Sequence, residues 1–351
     1  MNSTEVIVIG AGIIGASCAW QLAKRGVRVT LIDNGRAGAT AAGMGHLVCM
    51  DDDPAELTLC AWCGCGTLWL AETPEELEIA REKQRRLASH EVNSEMQSAA
   101  QLAEREVMLR PGLSGGLWVP GDGIVYAPNV ARWFIANAGD KLTHLVDPAI
   151  RLEEPTVTLQ SGRQLRADAI VVACGLGANT LLGEPWLRAK KGQLAITDRY
   201  GPLVNHQLVE LGYGASAHGS GTSVAFNVQP RPTGQLLIGS SRQFDNEDRE
   251  LDLPLLAAML SRAQHFLPSL ATLNIIRCWS GFRAASQDGN PLLGPHPSRA
   301  GVWLALGHEG LGVTTAPASA SLLVAQLLGE RSLVSPAPWL PARLISLEAS
   351  A

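Results

Sequence analysis

Six residues near the start of the chain, Gly10-Ala11-Gly12-Ile13-Ile14-Gly15, have the spacing of a turn that receives a diphosphate. Gly10 permits a tight turn, Gly12 lets the backbone approach a pyrophosphate, and Gly15 lets the following helix lie close on a sheet. Free N–H groups and the positive end of the helix dipole favour a diphosphate there. Asp33, eighteen residues after Gly15, is placed to accept hydrogen bonds from a ribose. An acid at that point, with Asn34 next, disfavours a 2′-phosphate, so the spacing predicts FAD or NAD rather than NADP. Residues 34–50 are rich in Gly, Ala and Thr with almost no charge, and Thr40 among them could donate to a phosphate. A second glycine turn, at Gly175, follows the apolar run Ile170-Val171-Val172-Ala173-Cys174, and doubly wound sheets hold ligands at such strand ends.

The elements that must position these residues are legible around them. Val6-Ile7-Val8-Ile9 reads as a buried strand, residues 16–24 as an amphipathic helix ending at Gly26, and Val29-Thr30-Leu31-Ile32-Asp33 as a second strand. Further on, Thr67-Leu68-Trp69-Leu70 predicts a strand. Thr73 as N-cap, Pro74 and Glu76 predict a capping box on a helix that ends near Ser89. Glycine-rich alternation over 115–126 predicts a strand and turn, and 129–138 a short helix. Residues 191–242 read as antiparallel strands, 254–266 as a helix, 277–283 and 302–306 as strands, and the alanine-rich run to Leu328 as a closing helix. The chain therefore starts as α/β, passes through an antiparallel insertion and returns to α/β.

Composition bounds the partners. The 351 residues carry 46% hydrophobic and 17% charged residues and a formal charge of −5, which argues against a nucleic-acid footprint. No apolar run has the length of a membrane span, and no signal segment precedes Val6, so the expected location is cytoplasmic. Cysteines stand at 18, 49, 60, 63, 65, 174 and 278, and in such a compartment most are expected as free thiols. The cluster Cys60, Cys63, Cys65 raises a metal or redox alternative. A zinc site wants four ligands, and no second pair or nearby histidine follows.

The order of motifs resembles the D-amino-acid oxidase family of FAD-dependent enzymes. Five blocks carry the resemblance: the N-terminal turn; Ala41-Ala42-Gly43-Met44-Gly45; Gly121-Asp122-Gly123-Ile124-Val125; Ile170 to Gly175; and Gly281-Phe282-Arg283 through Gly294 with Gly307-His308-Glu309-Gly310-Leu311-Gly312. The last block, continued by Val313-Thr314-Thr315, and the 38–50 loop look most like bacterial D-hydroxyproline dehydrogenases. The resemblance implies a Rossmann-like FAD-binding domain of the GR2 flavoprotein type, formed by 1–50, 120–185 and 290–351. It implies an interleaved α+β substrate domain on an antiparallel sheet, formed by 51–119 and 186–289.

The same resemblance implies site residues. FAD would be held by Gly10, Gly12, Ile14, Gly15, Asp33, Asn34 and Thr40, by Ala41, Ala42, Gly43, Met44, Gly45 and His46, and by Ala173 and Gly175. Gly307, Gly310, Leu311, Gly312, Val313 and Thr314 would lie by the isoalloxazine ring. Arg283 aligns with the family arginine that binds the substrate carboxylate, which suits a two-pronged donor among apolar neighbours. Ala284 stands where many relatives carry proline. Arg242 is a candidate second contact, or a surface ion pair with Asp245 or Glu247. His308 and Glu309 are candidates for the substrate amine or hydroxyl, or for a structural role. Tyr213 is the nearest tyrosine to the zone where relatives use one for the carboxylate.

The implied chemistry is dehydrogenation of a small, cyclic D-amino acid such as D-hydroxyproline, with hydride passing from Cα to flavin N5 to give an imine. It needs no obligatory general base. The partners expected are the amino acid and an electron acceptor that is oxygen, a quinone or a protein; a homo-oligomer is compatible with the chain, and a quinone-linked form would sit peripherally on the inner membrane. Alternatives are a glycine, sarcosine or other D-amino acid oxidase, a partner-dependent flavoprotein subunit, and an NAD-dependent dehydrogenase. The partner-dependent alternative draws on the segment between Leu59 and Gly66, which is shorter than in relatives. The NAD alternative leaves the distant Gly307–Gly312 block without a purpose.

Overall fold

Strand Glu5–Ile9 lies inside a six-stranded sheet whose order is Leu292–Pro295, Val302–Leu306, Ala169–Val172, Glu5–Ile9, Arg28–Asp33 and Leu142–Val146. All neighbours run parallel except Leu292–Pro295, which is antiparallel to Val302–Leu306. The chain builds outward from Glu5–Ile9 on one side through Arg28–Asp33, then returns to build on the other through Ala169–Val172. That reversal makes the carboxyl end of Glu5–Ile9 a topological switch point, the crevice in which doubly wound sheets bind ligands. The strand pairs Val6 with Ala169 and Ile9 with Val172 on one side, and Glu5 with Arg28 and Ile9 with Ile32 on the other.

The computed structural model describes residues 4–47, 62–212, 221–244 and 246–344. The chain divides into two units: Met1–Gly43, Ala127–Lys190 and Phe282–Ala351 form one, Met44–Tyr126 and Lys191–Gly281 the other. Each unit is discontinuous in sequence. The seams run at 43/44, 126/127, 190/191 and 281/282, whereas the sequence placed them at 50/51, 119/120, 185/186 and 289/290.

In the first unit both faces of the parallel sheet are covered, which is why its strands are runs of Val and Ile rather than alternating. Helices Ile13–Lys24 and Gly312–Leu328 bury Cys18, Ala19, Leu22, Ala320, Leu323 and Val324 with Val6 and Val8. On the opposite face Ile7, Ile9, Val172, Leu304 and Leu306 pack with Leu182 and Trp186. Each fully buried Leu or Ile here contributes roughly 1.5–3 kcal/mol. Where the two helices meet, Ser17 Oγ donates to Ala316 O at 3.3 Å, which brings the start of the closing helix near the glycine turn.

The second unit is built on an eight-stranded sheet, in the order Ile275–Ala285, Arg188–Thr197, Leu236–Phe244, Ser223–Pro230, Gln207–Glu210, Thr67–Ala71, Gly115–Val119 and Glu95–Gln97. It is mixed, because Gln207–Glu210 runs parallel to Thr67–Ala71. The sequence predicted an antiparallel sheet. Those two strands are joined by no hairpin, so no turn in the sequence sets their direction. Helix Leu253–Phe266 covers this sheet with Met259, Ala263 and Phe266, the last stacked on Phe226 at 4.3 Å between ring centroids.

Helix Pro74–Ala88 begins as expected, with Thr73 Oγ1 accepting from the Glu76 N–H. Glu76, however, reaches past the cap to accept from the Glu72 N–H at 2.6 Å. The reciprocal box forms instead at Ser98 and Gln101, where helix Ala99–Arg105 starts. No helix among the described residues is long and apolar enough to cross a membrane.

Candidate active site

The turn after strand Glu5–Ile9 is tied to the second strand by the Gly10 N–H, which donates to Ile32 O at 2.7 Å. Gly10 has φ +107°, and a Cβ there would stand 2.7 Å from the carbonyl oxygen of Ala173. A Cβ at Gly15 would overlap the carbonyl oxygen of Gly10. These two positions let helix, turn and third strand meet at main-chain distance, as the spacing predicted.

Gly12 caps helix Ile13–Lys24, whose first turn holds no acid. The Ile13 N–H donates to Thr40 Oγ1 at 2.9 Å. A hydroxyl that accepts one bond still has its own proton to donate, so Thr40 presents an O–H at the positive end of this helix. Asp33 is half-buried at the end of its strand, while Asn34 is exposed and its Oδ1 accepts from the Arg36 N–H at 2.9 Å. The one-turn helix Ala39–Ala42 has no buried residue although three of its four residues are alanine. Gly175, at φ +57°, has no atom within 4 Å of where its Cβ would be. A carboxylate-free helix N-terminus, a spare O–H, an exposed apolar turn, open space beside Gly175 and a carboxylate at the strand end together fit the ADP half of FAD.

A second cluster of the same unit forms where strand Val302–Leu306 ends. Leu311, 62% exposed, donates its N–H to His308 O at 2.9 Å and leads into helix Gly312–Leu328, whose first turn, including half-buried Val313 and Thr314, again holds no acid. The Cβ position of Gly312 is 3.5 Å from His308 Cβ and 3.8 Å from Ile14 Cδ1, so the first and last glycine blocks adjoin. At Gly307, φ +75°, the backbone passes against Ser286. The His308 ring is buried with Nε2 3.1 Å from Ser319 Oγ, and burial pushes its pKa down to about 4. The ring is therefore neutral and bonded inward to the closing helix.

Glu309 adopts φ +49°, a left-handed conformation uncommon for a residue with a side chain. Its N–H donates to Ala284 O at 3.0 Å and its carboxylate accepts from Lys190 Nζ at 2.8 Å. Gly310 follows, and its Cβ position is 3.8 Å from both Cδ and Nε of Arg283. The half-buried Arg283 side chain thus lies along the glycine that precedes the helix N-terminus. Strand Ile275–Ala285, which carries Arg283, also bridges to His308 through Ala285.

The structure brings Ile14, Arg283, His308, Glu309, Gly310 and Gly312 together in the first unit. Arg242, Met44, Gly45 and His46 belong to the second. Arg242 is only 3% exposed in strand Leu236–Phe244, opposite Ser223, so it lies in the interior of its unit rather than at the surface. His46 Nε2 lies 3.2 Å from Thr67 Oγ1 and 3.5 Å from an Asp122 carboxylate oxygen. Gly45 sits against the Val125 backbone, its O accepting from the Val125 N–H at 2.8 Å. Tyr213 lies outside the described residues, as do Cys49 and Cys60.

Two residues that the sequence did not single out shape these clusters. Lys190 is buried beside Glu309; the signal was a run of cations, Arg188, Lys190 and Lys191, at the head of a strand that continues through Leu194, Ala195 and Ile196. Arg231, set between Pro230 and Pro232, donates to Met44 O at 2.9 Å and Val125 O at 3.3 Å and so braces the 44–46 segment.

Comparison with known proteins gives the family and the fold. A family model described as FAD dependent oxidoreductase matches residues 5–63 and 54–326. A glycine oxidase of Pseudomonas aeruginosa is 27% identical over 97% of this chain and 99% of its own length. A glycine oxidase of Geobacillus kaustophilus is 26% identical over 92% of each chain. Among solved structures, the Geobacillus kaustophilus glycine oxidase superposes with a TM-score of 0.82, covering 96% of this chain and 98% of its own at 23% identity. An L-proline dehydrogenase from P. horikoshii gives 0.83, covering 98% of each chain at 20% identity.

Proposed function

The chain belongs to the family of FAD-dependent oxidoreductases, and from that premise we propose that it oxidises a small α-amino acid at its CH–NH bond, with Arg283 holding the carboxylate. FAD is the cofactor, and when bound it supplies the acceptor for the two electrons removed. The observation that carries the substrate reading is the Arg283 side chain lying along Gly310, two residues before helix Gly312–Leu328. A guanidinium offers two parallel donors matched to a carboxylate. The acid-free start of the helix adds a positive potential at the same place.

The neighbouring groups support orientation as the work of this cluster. His308 is neutral and bonded to Ser319, and the Glu309 carboxylate is held by Lys190, so both side chains are engaged within the protein. Binding one substrate carboxylate in a fixed orientation is sufficient when the rate comes from positioning. The relatives named glycine oxidase favour a small substrate, and the motif resemblance favours a ring. We therefore propose glycine, sarcosine and cyclic amino acids such as D-hydroxyproline as the substrate range, with oxygen, a quinone or a protein as acceptor. A flavoprotein that works only with a partner chain is the second reading. It is favoured by a relative in Agrobacterium tumefaciens, 25% identical, that is named as one subunit of an opine oxidase.

Arg283→Met tests the reading. It should raise KM for the amino acid by roughly two orders of magnitude, the scale of a lost charge-assisted carboxylate contact, while FAD stays bound. A near-normal KM removes Arg283 from the carboxylate.

A further inference from the structure

Cys63 and Cys65 flank a single exposed residue, Gly64, in the second unit, and their thiols are hydrogen-bonded to each other. Both are half-buried and neither is in a disulfide. The segment is fixed at both ends. The Cys63 N–H donates to Ile124 O at 2.9 Å and Cys63 O accepts from the Ile124 N–H at 3.0 Å, while the Gly66 N–H donates to Asp122 O at 2.9 Å. The Arg231 guanidinium stands beside the sulfurs, held by its bonds to Met44 O and Val125 O. The bond donated by Cys65 lowers the Cys63 pKa to about 7, with Arg231 and His206 adding to it against the cost of burial. The same bond, and burial, push the Cys65 thiol up.

Two neighbouring thiols beside a fixed guanidinium are the arrangement of an attacking and a resolving cysteine. The other described cysteines lack it: burial pushes Cys18 and Cys174 up to about 12 and raises Cys278. Nothing in the amino-acid chemistry proposed above uses the pair.

We propose that Cys63 and Cys65 form a reversible dithiol–disulfide switch oxidised by hydrogen peroxide. The Cys63 thiolate attacks one peroxide oxygen; an S–O bond forms, the O–O bond breaks, and the departing hydroxide takes a proton to leave as water. The Cys65 sulfur then attacks the Cys63 sulfenic acid; the S–S bond forms, the S–O bond breaks, and a second water leaves with the Cys65 proton. Two thiols are oxidised to one disulfide and one peroxide is reduced to two waters. A dithiol reductant restores the pair by exchange. The disulfide would close a short ring next to strand Thr67–Ala71.

The test is exposure of the purified holoprotein to hydrogen peroxide, followed by alkylation and mass mapping. The expected result is loss of two hydrogens from the peptide holding Cys63 and Cys65, reversed by dithiothreitol. In the reduced protein, Cys63 should alkylate about tenfold faster than Cys278 at pH 7, with a midpoint near pH 7. Cys65→Ser should stop at a sulfenic acid on Cys63, trapped by dimedone, and Cys60→Ser should oxidise as the parent does. No disulfide in the parent protein overturns the proposal, as does one that survives Cys65→Ser or disappears in Cys60→Ser. The mapping of the parent protein stands even if a variant misfolds, and it does not depend on the substrate.

Discussion

Lys190 Nζ lies 2.8 Å from Glu309 Oε1, one residue before the glycine along which Arg283 extends. The side chains of this pair are 6% and 23% exposed, so each charge depends on the other. The pairing directs the Glu309 carboxylate to Lys190. Lys190→Met should leave that carboxylate to compete with substrate for the guanidinium, raising KM roughly tenfold with a smaller change in kcat. Adding Glu309→Gln should bring KM back toward the parent value. Steady-state kinetics on the two single variants and the double variant form the cycle that checks it. A double variant no better than Lys190→Met contradicts the coupling.

The glycine turn makes a separate prediction about folding. Gly15→Ala drives a methyl into the carbonyl oxygen of Gly10, so helix and sheet must part, at a cost of about 1–3 kcal/mol or more, and the protein should purify without flavin. Gly175→Ala meets open space and bears only the left-handed backbone cost of about 1–2 kcal/mol. Thermal melts of the two apoproteins should therefore rank Gly15→Ala well below Gly175→Ala. Equal melting temperatures would refute the main-chain packing at Gly15.

Thr40 joins the small-residue loop to the first helix. Thr40→Val leaves the Ile13 N–H without its acceptor and removes the spare O–H, which should weaken FAD binding about tenfold, the equivalent of roughly 1.4 kcal/mol. Thr40→Ser should bind FAD as the parent does. Flavin titration of the apoproteins measures both.

His308 gives a pH dependence. Its folded pKa is about 4 against an ordinary 6.5, so below pH 6.5 the unfolded chain takes up a proton that the folded chain refuses. Stability is present above pH 6.5 and is lost as pH falls toward 4, by up to about 3 kcal/mol from this group. Urea midpoints at pH 7 and pH 4.5 should differ less in His308→Gln than in the parent. The same slope in both would show that another group carries the acid sensitivity.

How much of this was legible in the sequence follows from which interactions are local. The turn at Gly10, the helix after it and the strand ending at Asp33 are contiguous, and their spacing alone predicts all three elements. The closing helix and the Thr73 cap were equally readable. The parallel pairing of Thr67–Ala71 with Gln207–Glu210 was not, because nothing near either strand encodes the partner. Lys190 was missed for the same reason: its acceptor is Glu309, far along the chain. Arg242 reads as a substrate contact or, from its acidic neighbours, as a surface residue, and it is buried because the strand around it is central in its sheet. His308 was open to substrate or to a structural role, and its partner Ser319 sits two turns into the following helix, a contact that only the packed structure reveals.

Anaerobic mixing of the purified protein with a panel of glycine, sarcosine, D-amino acids and cyclic amino acids, followed through the absorbance of its flavin, tests the central assignment most directly. Oxidation of a small amino acid predicts that the flavin bands bleach with one or more members of the panel, and that Arg283→Met needs far higher concentrations of the same compound. A protein that binds FAD and bleaches with none of them, or a protein that purifies colourless and takes up no FAD, would contradict it.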